Sequence, residues 1–499
     1  MIDLNNLSQY RENNRIEAKK AQGGLPRSVW QTYSAFANTL GGYILFGLEE
    51  LADKSLHPIT LPAPEKLVAH FWDTVNNREK VSVNILTEKH VRIESMADKA
   101  IVIIEVPRAQ RSDKPVYIGN NPMTGTYRRN GEGDYRCSKE QVLSMLRDAA
   151  VKTQDMTVLE NISGSVFDTE SVRRYRLRMR NYRPGHVWEK LDDNEFLFRL
   201  GAMARGEDGH LHPTGAGLLM FGFEYEIVQE FSHYFLDYRE CLDTTTRWTD
   251  RIESSSGDWS GNLFDFYFRV YNRLAQDFKT PFRLEQGMNR IDDTPCHKAM
   301  REALANCLIH ADYYGTRGVV IIRRPREITV ENPGVFRIDI NEAISGGASD
   351  PRNATLIKIF NLIGIGERAG SGVPSLFENW RQAGGQPPVI TESFNPERTV
   401  LTFTMSMAGD NRKKPAITTG DIMGNVAITT GDKQTLSADT KRGLIIEFFY
   451  KHPSGTTGDI CSLLGVKPSQ AKHYLAELVA QGILAAEGAN RNRRYRLKI

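Results

Sequence analysis

Cysteine is scarce: five in 499 residues, at Cys137, Cys241, Cys296, Cys307 and Cys461. They are scattered and form no C-x-x-C pair, which argues against a zinc ribbon or a disulfide framework. A reduced, cytoplasmic setting fits best. An excess of charge of one sign is also missing. The net charge of +3 says nothing by itself about an acidic or basic partner. No run approaches the roughly 18 apolar residues of a membrane span, so no membrane partner is expected. The opening MIDLNNLSQYRENN is too polar for a secretory leader. No glycine-rich loop ends in G-K-[ST], so a P-loop motor is not expected. What remains is an ordinary globular composition, 40% apolar and 25% charged. The length exceeds one core, and two to four domains are expected.

Residues 1–150 alternate short strands with helices. GGYILFGLEE and KAIVIIEVP read as buried strands after turn signals. SKEQVLSMLRDAA reads as an amphipathic helix with Ser138 as N-cap and Gln141 in the capping-box position. Residues 151–290 form a connecting α/β region. It carries a basic run, Arg173, Arg174, Arg176, Arg178 and Arg180, on either a solvated helix face or a nucleic-acid groove. Tyr175 and Tyr182 would be the stacking partners in such a groove. Residues 291–407 read helix, strand, strand, loop, helix, strand. Residues 408–437, polar and containing AITTGD twice, read as a linker. Helical periodicity resumes over 438–499.

Three pieces of 291–407 carry chemistry. In REALANCLIHADYYG, Glu302 and Asn306 fall on one helix face with Ile309 or His310. An amide or carboxylate oxygen facing a phosphate can hold Mg²⁺, and a carboxylate can activate water. In ITVENPGVF, a strand ends at Asn332-Pro333-Gly334, and the glycine lets backbone approach a flat base. In GIGERAGSGVPSLFENW, a glycine-rich loop runs into a helix at about Val373, a start that favours phosphate. His310 and Asp312 serve either this pocket or the helix end.

In order and spacing these pieces resemble the GHKL ATP-binding fold, and more closely its divergent version known as the recG-like C-terminal region, over about 290–407. The resemblance implies ATP and Mg²⁺ (or Mn²⁺) as cofactors. It makes Glu302 the catalytic or water-positioning acid and Asn306 the metal ligand. Asn332 and Gly334 would meet adenine, and Gly370, Ser371 and Gly372 would cover the phosphates. The family aspartate that accepts from the adenine amino group is Asn332 here, which can accept that bond without a charge.

At the N-terminus, Glu12 and Glu17 are five apart, and E-N-N between them suggests a turn. Glu17 and Lys19 share one side of a strand. AFANTLGG reads as a helix closed by a Gly-Gly C-cap, and the next strand ends in Glu49 and Glu50. Converging carboxylates can bind a divalent metal for phosphodiester cleavage; a charged surface is the other reading. IEAKKA, SAFANTLGGYILFGLEE and TYRRNGEGDYRCSKEQV resemble the Schlafen-type AlbA-like domain over about 1–150. That resemblance implies Glu12, Glu17 and Glu50 as catalytic metal ligands, with Glu50 where the family has aspartate. Lys19, Arg128 and Arg129 would be phosphate contacts.

The segment TTGDICSLLGVKPSQAKHYLAELVAQG, followed by a basic RNRRYRLKI, resembles a winged helix-turn-helix over 438–499. Lys467, Ser469, Gln470, Lys472 and His473 would face a DNA groove, and Arg491, Arg493, Arg494 and Arg496 would form a basic wing. Protein contact is the alternative use of this fold. The expected architecture is thus α+β and multidomain: an AlbA/Schlafen-like α/β domain, a GHKL-type α/β sandwich and a winged helix. Two functions follow from the resemblances. One is an ATP-responsive DNA-binding transcriptional regulator. The other is a metal-dependent endoribonuclease controlled by ATP, acting on tRNA or other RNA, with antiviral (phage) defence as its setting. A homo-oligomer, in the first place a dimer, is the expected assembly, with DNA or RNA as partner.

Overall fold

Apolar runs closed by glycine build the first sheet. The computed structural model describes residues 12–96, 98–243, 246–276, 294–366 and 370–405, with parts of 445–497. Its strands lie in the order Ile16–Lys19, Gly42–Phe46, Lys99–Val106, Val91–Met96. The first pair is parallel, with Ile16 opposite Tyr43, and the rest are antiparallel. Helices Val29–Asn38 and Pro64–Val75 cover one face, where Tyr33, Phe36, Phe71 and Val75 are buried. Burying each aromatic contributes on the order of 2 kcal/mol. The first helix ends at Asn38, before the two glycines. Gly41 then takes φ +73°, its N–H donates to Phe36 O, and a Cβ there would sit 2.7 Å from Val106 O. Ser138 and Gln141 form the capping box of helix Lys139–Ala149.

A second, larger core runs without a break from Leu159 to Phe403. It packs on a six-stranded sheet ordered Asp250–Glu253, Leu236–Glu240, Val319–Arg324, Glu327–Pro333, Glu397–Thr404, Val389–Phe394. Leu236–Glu240 pairs in parallel with Val319–Arg324, and the other neighbours are antiparallel. The sheet therefore crosses the expected boundary at 290, because its first two strands come from the connecting region. Helix Pro295–His310 is capped by Thr294 and starts with proline. It packs against helices Leu263–Gln276 and Gly372–Gln382 and strand Glu327–Pro333.

The chain divides into two compact units, Met1–Ile428 and Thr429–Ile499. In the second, helices Thr457–Leu464 and Pro468–Ala480 precede the hairpin Leu484–Glu487 with Arg494–Leu497. Ile460, Leu475, Leu478, Leu484 and Tyr495 form its core. The expected linker 408–437 lies outside the described residues. Mixed helix and sheet in several layers is the α+β class expected. Among the described residues, no helix is long and apolar enough to cross a membrane.

Candidate functional site

Helix Pro295–His310 forms one wall of a cavity. Asn306 and His310 line it from the helix, Asn332 and Thr399 from the sheet, and Gly370 and Gly372 from the glycine-rich turn. Asn306 Nδ2 donates to Glu302 Oε1 at 3.0 Å, as the four-residue spacing allows. Gly372 opens helix Gly372–Gln382 directly over this pair. A Cβ on Gly372 would stand 2.1 Å from Glu302 Oε1 and 3.2 Å from Asn306 Nδ2. Only a glycine lets the helix start approach so closely. Gly370 takes φ +72°, and a Cβ there would meet Ala348 O at 2.4 Å. Ser371 sits between them as the N-cap residue. Glu367 to Ala369 lie outside the described residues.

Asn332 is buried and donates its Nδ2 to Pro333 O at 3.1 Å. That bond orients the amide, whose carbonyl oxygen is an acceptor. Gly334 has a different job from the one expected. At φ +91° its missing Cβ makes room for the Arg352 guanidinium, 2.6 Å from where the Cβ would be. Arg352 is fully buried and holds Asp148 through two bonds of 2.9 and 2.7 Å. It also donates to His310 O and Val335 O. The flat group beside Gly334 is thus a side chain of the same chain. The His310 ring borders the cavity and is half-buried. Burial, then Arg352 and Arg337, pushes its pKa down to about 4. It is a neutral ring at physiological pH.

In the N-terminal sheet, Glu12 accepts from Ala18 N–H at 3.0 Å. Burial raises the Glu12 pKa, and the nearby charges of Glu17 and Glu50 raise it further. The three acids are therefore neighbours. Cations already hold two of them. Glu17 is bound by Lys19 at 2.7 Å and by Arg129 at 2.8 Å. Glu50 pairs with Lys54 at 3.5 Å. Among the described residues, no group of three or more His, Cys, Asp or Glu is placed to hold a metal ion. A metal ion at Glu17 would have to compete with both Lys19 and Arg129.

Three segments of the chain match known families. Residues 12–138 match the family described as Schlafen, AlbA_2. Residues 318–403 match the family of the ATP-dependent DNA helicase recG C-terminal region. The chain carries a Schlafen AlbA_2 domain and a recG C-terminal-type domain. Residues 143–237, before the recG-type match, fit a domain of unknown function, DUF8451. The N-terminal domain of a RecG-related protein from Nitrosomonas europaea, a solution structure, is 30% identical over 27% of this chain and 90% of its own, with a TM-score of 0.22. The DIP2311 protein of Corynebacterium diphtheriae is 16% identical over 97% of this chain and 95% of its own, with a TM-score of 0.40. No curated protein matches the chain significantly.

The AlbA_2 domain turns its two candidate phosphate-binding arginines inward. Arg128 pairs with Glu397 of the recG-type sheet. Arg129 is bound by Glu17, Asp134 and the carbonyl of Asn13. Neither faces solvent in this arrangement, and both act as clamps. Lys19 is mostly buried against Glu17. Tyr175 is likewise no stacking platform: it is buried, with its hydroxyl on Ile359 O. In the second unit, Gln470, Lys472, His473 and Arg494 are exposed. Lys467, Arg491 and Arg493 lie outside the described residues.

Two groups of residues escaped the reading of the sequence. Asn38 is fully buried and bonds to Val116 N, Val116 O and Tyr127 O, tying helix Val29–Asn38 to a distant loop and to strand Tyr127–Asn130. The chain offered only its place at a helix end. Arg111 and Arg337 both donate to the carbonyl of Asp148, while Arg108 binds Glu392 and the carbonyl of Phe336, and no periodic signal marks them.

Proposed function

We propose that the chain is an ATP-binding, nucleic-acid-binding protein that acts as an ATP-responsive DNA-binding regulator. The observation that carries this reading is the close approach of Gly372, which lines the cavity with Asn306, to the Glu302–Asn306 pair. There, backbone of the glycine-rich turn and a helix start would receive the phosphates. The Asn332 carbonyl would accept from the adenine amino group. Asn306 would lend one oxygen to Mg²⁺, which commonly takes one or two protein ligands beside phosphate and water. The ion would neutralise phosphate charge. Glu302, held by Asn306, would orient a water. Residues 438–499 would serve as a winged helix, with Gln470 and Lys472 toward a groove and Arg494 toward phosphate.

The test uses the purified full chain with labelled duplex DNA and labelled tRNA, in Mg²⁺, with and without ATP. DNA retention that changes with ATP, with both nucleic acids intact, is the expected result. Retention indifferent to ATP, together with no ATP binding, overturns the proposal. Fragments that disappear in Glu17→Ala would replace it with the nuclease reading.

A further inference from the structure

Residues 335–338 form a wall shared by two spaces. On one side Val335, Phe336, Arg337 and Ile338 line the nucleotide cavity. On the other side, Val335, Phe336 and Arg337 line a second, small cavity. The far side of that second cavity is built by the AlbA_2 domain, with Arg111, Lys114 and Arg128.

The AlbA_2 domain also supplies the ties that hold this wall. Arg108 follows strand Lys99–Val106 and is almost completely buried. It pairs with Glu392 at 2.7 Å and donates a second bond to the carbonyl of Phe336. Glu392 Oε1 in turn accepts the Phe336 N–H at 2.6 Å. Arg337 is held from outside that domain, donating to the carbonyls of Asp148 and Pro351 at 2.9 Å each. Arg111 pairs with Asp350, which lines the nucleotide cavity. Both the wall and a neighbouring lining residue are thus fastened from the other domain.

We infer that Arg108 of the AlbA_2 domain is a positioning residue for the nucleotide site, so that filling the cavity and docking of the AlbA_2 domain are one coupled equilibrium. This rests on the nucleotide reading above. A ligand that prefers one position of the wall shifts the Arg108–Glu392 contact, and by linkage the contact shifts ligand affinity.

The test measures binding of a fluorescent ATP analogue and amide hydrogen exchange on the full chain, for wild type, Arg108→Ala and Arg108→Lys. In wild type, the analogue is expected to change exchange at 335–338 and also at 108–114. Arg108→Ala is expected to bind on the order of tenfold more weakly, with faster exchange at 335–338 even without nucleotide. Arg108→Lys should fall between the two. Exchange changes confined to the recG-type domain in wild type, or undiminished binding by Arg108→Ala, would overturn the inference. If Arg108→Ala does not fold, the wild-type exchange pattern decides alone. If wild type binds no analogue, the nucleotide reading has failed. The exchange of 335–338 without nucleotide then decides separately whether Arg108 holds the wall, and equal rates in the variants would refute it.

Discussion

His310 makes stability depend on pH in a defined window. Its ordinary pKa of 6.5 is pushed down to about 4 in the folded chain, first by burial and then by Arg352 and Arg337. Between those values the unfolded chain binds a proton that the folded chain refuses. Stability is therefore highest above pH 6.5 and falls as pH drops toward about 4. The full displacement corresponds to about 3 kcal/mol, at a limiting slope of about 1.4 kcal/mol per pH unit. His310→Gln removes the titrating group and keeps a polar side chain of similar reach. Asp312, whose carboxyl burial pushes up, titrates in both proteins and largely drops out of their difference. The assay is native-state hydrogen exchange of amides in helix Pro295–His310, from pH 4 to 7.5, corrected for intrinsic exchange rates. Wild type should lose about 3 kcal/mol more protection than the variant across this range. Parallel curves would show that His310 is not held neutral by its surroundings, and the reading of this buried corner would fail.

Two other expectations follow from single contacts. Gly372→Ala should keep the fold, since helix propensity gains about 1 kcal/mol and overpacking costs about 1–3 kcal/mol. It should still displace Glu302 and weaken ATP-analogue binding at least tenfold; equal affinity in a titration would refute the placement of Glu302 over the phosphates. Asp148→Ala leaves the Arg352 guanidinium buried without its carboxylate, at a cost of about 3–5 kcal/mol. Urea unfolding should show that loss, and a change below about 1 kcal/mol would mean that Arg352 finds another partner.

Much of the fold was legible because it is local. Strands Gly42–Phe46 and Lys99–Val106 lie in the apolar runs that read as buried strands. The Ser138–Gln141 box needs only four adjacent residues. Glu302 and Asn306 share a face through helical spacing alone. What could not be read is what distance in sequence hides. Arg128 meets Glu397, 269 residues away, so a residue with every mark of a phosphate contact is spent inside the protein. Gly334 carries no sign of which flat group it accommodates, base or guanidinium. Tyr175 is a different kind of miss. Val172, Tyr175 and Met179 form an apolar stripe at helical spacing, so its burial was written in the chain but overshadowed by the arginines around it.

The parallel pairing of Leu236–Glu240 with Val319–Arg324 bears on how such proteins can be cut and recombined. The match to the recG-type family begins at residue 318, at the first central strand, while two strands of the same sheet lie upstream. A fragment starting there would present Val319–Arg324 as a bare hydrogen-bonding edge, a template for association with other chains. It would also lose helix Leu263–Gln276 and with it the aromatic contact of Tyr267 with Phe360. The segment that sequence comparison recognises and the segment that can be inherited as a folding cassette differ here by at least 80 residues, from Leu236 to 318.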